Sequence, residues 1–207
     1  MIPETRERTA AHAVLECVRA MGARRSNAVL ELLAGHEPVQ RRRYPEGGLR
    51  LGGAWRAYYH CHPAPRRPPA EHGHFHVFAA LPGGQAWTHV AGLSMDRLGQ
   101  PLRWFAVNRW VTGGVWVAAP ALAAMVARLP VPDAGLVERW LAALLVMHRR
   151  ALAGLLRARD RRLTEVNVGL AGGDIFESRE VYELAERPID LTTSLERVLS
   201  GARPAGP

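Results

Sequence analysis

Residues 54–81 read AWRAYYHCHPAPRRPPAEHGHFHVFAAL, and this stretch decides the fold. Two aromatic-rich arms flank PAPRRPPAE, a proline-dense segment that neither a helix interior nor a central strand tolerates. The arms therefore predict antiparallel strands joined by a polar connection. Outward from them, WTHVAGLSM (87–95) and LRWFAVN (102–108) share the same texture, with the turn signals PGGQ and DRLGQP in between. VTGGVWVA (111–118) is a candidate fifth strand. The pattern is a meander of four or five antiparallel strands.

Helical periodicity surrounds this sheet. Residues 4–21 set Ala11, Val14, Leu15, Val18 and Met21 on one side with Gly22 as a stop, and a second helix over 27–34 closes at Gly35. Residues 36–53, punctuated by Pro38, Pro45 and several glycines, read as a surface loop. A short helix is predicted over 120–129. A long one follows over 133–159, with Asp133 as its N-cap and Val137, Trp140, Leu141, Leu144, His148, Leu152 and Leu155 facing inward. SREVYELAE (178–186) reads as an acidic helical tail, and a last helix is capped by Thr192 or Asp190. The fold class is α+β: an antiparallel meander sheet or partial barrel between N- and C-terminal helices. The expectation is one domain over 1–207, divided into N-terminal helices (1–35), a histidine-bearing sheet (54–118) and a helical C-terminal part (120–200).

Composition narrows the function classes. A length of 207 residues suits one sizeable core, and 22% charged residues is ordinary for a globular protein. Glu4, Arg6, Glu7, Arg8, Glu16 and Arg19 interrupt the first thirty residues, which excludes a standard secretory signal. The longest apolar stretch, Leu141 to Met147, is too short to span a bilayer. A cytoplasmic protein without membrane partners is expected. The net charge of +8 comes with 27 basic residues, all arginine and scattered without an aromatic-interleaved RNA motif. Nucleic-acid binding is therefore unfavoured, whereas anionic small molecules suit arginine well. Cys17 and Cys61 form no zinc ribbon or CxxC pair.

The chemistry concentrates in histidine: six of the nine fall between positions 60 and 89. Alternation along a strand points His72, His74 and His76 one way, with Glu71 opposite, and aligns Tyr58, His60 and His62. Side chains two apart stand about 6.5–7 Å from each other at Cα, while imidazoles bind metals at about 2.0–2.1 Å. All three from one flat strand can hardly converge. Two of them, with His60 or His62 from the neighbouring strand and His89 from the next, can. The candidate metal ligands are thus His60, His62, His72, His74, His76 and His89. A histidine face bonded only to itself and water is the competing reading, disfavoured because crowded imidazoles repel on protonation. An all-imidazole set suits iron, copper, zinc or manganese.

Other residues carry paired readings. Glu71 can hold an imidazole N–H, ligate from a loop or face solvent. Cys61 points away from its flanking histidines, and His148 reads as a core histidine on a helix. Trp55, Tyr58, Tyr59, Trp87, Trp104, Phe105, Trp110 and Trp116 are sheet core or the wall of a dry cavity. Ser94 and Asp96 near His89 do not define a hydrolase triad, which is a matter of spatial geometry. In VNRWVTGGVW (107–116), Asn108, Arg109 and Thr112 end an apolar strand and suit substrate orientation. Arg109 serves equally well as a bridge to Glu177, Glu180 and Glu183.

Taken together, YYHCHP, EHGHFHVF, THVAGLSMDRLGQPLRWFAVNRWVTGGVW and DIFESREVYELAERPIDL resemble an uncharacterised bacterial domain family of unknown function. The resemblance covers roughly residues 40–195 and rests on a YYHxHP segment, an EHGHFH core and an NRWVTG turn. The matching positions are His60, His62, Glu71, His72, His74, His76, His89, Asn108, Arg109, Trp110 and Thr112. The chain departs at Gly114, where the resemblance implies an acidic residue, a departure that matters if that carboxylate takes part in chemistry. The family implies homology and no activity. The functional expectation is a transition-metal enzyme acting on a small molecule, oxidoreductase before hydrolase. The alternatives are a non-catalytic metal or haem carrier or sensor and, more weakly, an arginine-rich nucleic-acid adaptor.

Overall fold

The computed structural model describes residues 5–63, 68–168 and 174–201. Helix α1 (Arg6–Ala23) begins where the Thr5 side chain accepts the Arg8 amide, and α2 (Ala28–Leu33) where Asn27 caps two amides. Such caps satisfy amides that the first helical turn leaves without partners. Six strands follow: β1 (Tyr44–Arg50), β2 (Trp55–His60), β3 (Gly73–Ala80), β4 (Trp87–Met95), β5 (Pro101–Val107) and β6 (Glu183–Pro188). They form one open antiparallel sheet in chain order. Between β5 and β6 run α3 (Arg109–Thr112), α4 (Ala119–Arg128), α5 (Leu136–Met147) and α6 (Arg149–Val168); α7 (Leu191–Ser200) follows β6. Asp190 is the cap of α7, accepting from the Thr193 amide.

Strand pairing sorts the sheet's side chains into rows. Tyr59, Phe75, Leu93, Trp104 and Arg187 lie in one register row. That row faces the helices. Phe75 packs on Trp140 of α5, the Trp104 indole donates to His148 Nδ1 at 2.8 Å, and Arg187 lies over Gly154 of α6. Tyr59, Phe75, Leu93 and Trp104 are at most 1% exposed. The opposite face carries two different rows, Tyr58–His76–Gly92–Phe105–Glu186 and His60–His74–Ser94–Arg103. The meander therefore aligns histidines from neighbouring strands on the face away from the helical layer.

Four details depart from the sequence expectation. The predicted loop over 36–53 contains β1. Its Pro45 is tolerated on a sheet edge, and Gly47 and Gly48, at φ 87° and 75°, absorb a register shift between Tyr44 and Leu49. VTGGVWVA is not a strand: Asn108 Oδ1 caps the single turn α3, and Gly113 and Gly114 follow at φ 71° and 86°. SREVYELAE contributes β6 rather than a helix. Val181, Leu184 and Ala185 fit helical spacing, but the open edge of β5 offers a row of backbone partners that outweighs this local preference. Finally, the helix expected over 133–159 is two helices. α5 starts after Gly135 without a side-chain cap, so Asp133 is not its N-cap. The break falls at His148, whose φ −94° and ψ 13° leave helical geometry.

Candidate metal centre

The β2–β3 pairing sets His60 directly opposite His74, with Tyr58 opposite His76. One ligand nitrogen from each of His60, His74 and His76 lies within 4.8 Å of the others. His60 Nε2 and His74 Nε2 are 2.7 Å apart. An ion with bonds of about 2.0–2.1 Å holds its nitrogens ~3 Å from one another, so small ring rotations bring the three into convergence. His62, just beyond β2, meets the ring of His60 edge-on at 4.7 Å and lies tilted 5.3 Å from that of His74.

Glu71 organises this cluster. Its Oε1 accepts from His74 Nδ1 at 2.7 Å, and its Oε2 accepts from the Ser94 hydroxyl. A neutral His74 that donates Nδ1–H to a carboxylate presents Nε2 as a lone pair, the arrangement in which an outer carboxylate fixes the tautomer of a metal-binding imidazole. His60 Nε2 is then the donor of the short contact to His74, and moving its proton to Nδ1 frees a second lone pair. Glu71 is 4% exposed. Burial raises its pKa, but the His74 hydrogen bond and charge, the Ser94 hydroxyl and the Arg103 charge together hold the carboxyl below its ordinary value.

The placement of Glu71 reverses the strand-alternation expectation. Residue 72 sits in a bend before β3, so alternation begins only at Gly73. Glu71 turns to His74, while His72 turns to the other side, where its Nδ1 meets the Tyr59 hydroxyl at 2.7 Å. Gly73 permits this crossing: a Cβ there would stand 2.5 Å from the Tyr59 hydroxyl oxygen. His72 is thus separated from the cluster it was expected to join.

His89 arrives by a second irregularity. Val77 pairs with Ala91 but Phe78 with His89, so one extra residue, Val90, is accommodated in β4. A bulge of this kind turns the following side chain to the other face. It places His89 Nε2 at 2.9 Å from His76 Nδ1, which leaves His76 Nε2 as its free ring nitrogen. Opposite His76, Gly92 has no side chain, and the Phe105 ring occupies the space a Cβ would fill. Phe105 packs edge-on against His74 and His76, with Tyr58 and Phe78 completing an aromatic rim around His76.

Enclosure favours the uncharged form of His60, His76 and His89. Burial pushes the His60 pKa down to about 3, helped by the charges of His74, His62 and Arg43. Burial does the same for His89, to about 3, with Arg159 and His74 contributing. His76, 2% exposed, lies well below its ordinary value through burial and then the neighbouring histidines. Neutral imidazole is the metal-binding form.

Two of the three expected substrate-orienting residues, Asn108 and Arg109, have protein partners. Asn108 Nδ2 donates to the Ile175 carbonyl. Arg109 pairs with Asp174 at 2.8 Å and Glu177 at 2.9 Å, the bridging role rather than a free clamp. Thr112 ends α3, and its buried hydroxyl is without a partner among the described residues. Ser94 serves Glu71, and Asp96 accepts the Leu98 and Gln100 amides of the β4–β5 turn, so neither belongs to a triad. His148 is the core histidine expected, with Trp104 as donor. Sequence reasoning missed Arg43 and Tyr182. Arg43 lies 4.5 Å over the Tyr58 ring, and burial, followed by the charges of Glu183, Glu71 and Tyr58, raises the pKa of the Tyr182 phenol. The only signal for Arg43 was the unrecognised β1.

A family model described as a domain of unknown function, DUF6969, matches residues 8–189. The chain belongs to that family. The match runs from α1 through β6 and so takes in the entire sheet and every histidine of the centre. Its description names no activity. No curated protein and no solved structure matches the chain. Gly114, where the sequence departs from the expected acidic residue, has a structural explanation in this chain. It adopts φ 86°, and a Cβ would meet the Trp87 carbonyl oxygen at 2.4 Å. An acidic side chain there requires the β4 backbone to move.

Proposed function

We propose that this domain is a metalloprotein in which His60, His74 and His76 hold one transition-metal ion, and that it is an enzyme acting on a small molecule, with oxidative chemistry preferred. The observation that carries the reading is the convergence of three buried or half-buried imidazoles from two paired strands, one of them held by a buried carboxylate. Iron, copper, zinc and manganese all accept nitrogen donors of this kind. When bound, such an ion supplies Lewis acidity or electron transfer at a position not filled by the three ligands. The chain's own part is to hold His74 through Glu71, keep His60 and His76 neutral by enclosure and limit water with Tyr58, Phe78 and Phe105.

A carrier or sensor is the second reading, favoured by His62, whose ring lies close enough to both His60 and His74 to fill a further position. Untagged protein, reconstituted separately with the four metals and analysed by mass spectrometry, tests both. About one ion per chain is expected, falling below ~0.1 in His74→Ala and His76→Ala. Substoichiometric metal under every condition defeats the proposal. A coordination sphere closed by His62, seen by X-ray absorption and relieved in His62→Ala, selects the carrier.

A further inference from the structure

The sheet edge next to the histidines carries a cation, Arg43, that no carboxylate among the described residues pairs with. Tyr44 pairs with Tyr59 on the helix-facing side of β1–β2. Alternation then directs the preceding residue, Arg43, onto the histidine face alongside His60. There its guanidinium lies 4.5 Å over the Tyr58 ring, and that ring is 5.5 Å from both His60 and His76. Several arginines of the fold are paired with carboxylates, Arg103 with Glu183 and Glu186 and Arg109 with Asp174 and Glu177 among them. Others, such as Arg56 and Arg97, have no ion pair among the described residues, and what distinguishes Arg43 is its place beside Tyr58 and the histidines. Among the described residues Arg43 has no ion pair, and the Tyr58 hydroxyl has no hydrogen-bond partner.

We propose that Arg43 and Tyr58 form an oxyanion subsite beside the metal centre, so that the substrate is a small molecule bearing a carboxylate or phosphate group. The inference rests on the metal reading above and names its substrate class. Its logic is charge and geometry. Imidazole ligands bring no negative charge, a bound divalent ion adds positive charge, and Arg43 adds more. The carboxylate within the cluster, Glu71, is spent on His74 and Ser94 and is 4% exposed. The Arg43 side is therefore electropositive. A guanidinium is always charged and presents paired N–H donors that match two oxygens of a carboxylate or phosphate. The phenol adds a single donor. An anion held there places the rest of its molecule next to His60 and His76.

The test uses the untagged full chain loaded with Cu(II), its metal content measured first. Sodium acetate, inorganic phosphate and neutral acetamide are titrated separately while the copper absorption and paramagnetic resonance spectra are followed. One anion, but not acetamide, is expected to perturb the spectra saturably; acetate alone marks a carboxylate substrate and phosphate alone a phosphorylated one. Arg43→Gln weakens that binding about tenfold or more, Tyr58→Phe weakens it less, and both leave copper stoichiometry and thermal midpoint unchanged. If neither anion acts, or if Arg43→Gln binds within about twofold of wild type, the subsite is refuted. Failure of the metal reading shows separately, as absent copper. The same titrations, followed through histidine ring resonances of the apoprotein, then decide the subsite: an unchanged response in Arg43→Gln overturns it.

Discussion

The two faces of the sheet are built from the same strands and follow opposite rules. On one, Tyr59, Phe75, Leu93 and Trp104 are covered by helices, and burial of apolar surface is what they contribute. On the other, His74 and His76 are equally hidden, but by rings from their own sheet: Tyr58, His60, His89, Phe78 and Phe105. Burying an imidazole that must stay neutral yields less than burying a phenyl ring and requires a hydrogen-bond partner. The helix-facing rows therefore hold the fold together, and the histidine rows draw on that stability to keep a candidate metal site in place.

The sharpest way to break this division is to damage the covered face alone. Phe75→Ala is expected to lower unfolding free energy by about 3–5 kcal/mol in urea titrations, through lost burial and a cavity against Trp140. An equal loss from Phe78→Ala, on the half-exposed rim of the opposite face, contradicts the contrast.

Acid probes both faces. His148, on the helix-facing side, is pushed by burial down to about 4, against 6.5 when exposed. The folded state therefore binds fewer protons than the unfolded chain across that interval. The associated stability is complete above pH 6.5 and disappears as pH falls through about 4, amounting to roughly 3 kcal/mol. His60 and His89, at about 3, extend the same loss further into acid. Apoprotein stability measured against pH should thus decline from about pH 6.5 downward. In His148→Leu the decline between pH 6.5 and 4 should become shallower, the remainder coming from His60 and His89, and a profile flat from pH 7 to 4 in wild type would contradict the buried-neutral assignment.

Glu71→Gln isolates the orienting carboxylate. It should weaken metal binding by about 10–100-fold, read by chelator competition, while the thermal midpoint changes little. Unaltered affinity means that His74 orients without it. The smallest effect is expected at Arg109→Ala. Its carboxylate partners are exposed, so stability should fall by about 1 kcal/mol or less, with the difference shrinking in salt and metal content unaffected. A loss of substrate binding in that variant would instead restore the orienting role expected from the strand end.

Much of the centre is legible in the residues themselves. The aromatic arms and the HxH spacing in 58–77 identify the hairpin, the polar face and five of the histidines concerned, because a period of two is intrinsic to an extended chain. Periodicity likewise locates α1, α2, α4 and α7 within a few residues. It fails where the chain's neighbours overrule local preference. β1 and β6 are the two edges, and each exists because an adjoining strand offers backbone partners to a segment whose glycines or helical spacing argue against a strand. His72, His89 and Glu71 take positions that simple alternation does not give, for a related reason. A single bend at residue 72 and a one-residue bulge in β4 each invert side-chain parity, and neither leaves a composition signature. Local residue chemistry thus determined which groups were available for metal binding. Strand register, which only long-range hydrogen bonding sets, decided which of them meet.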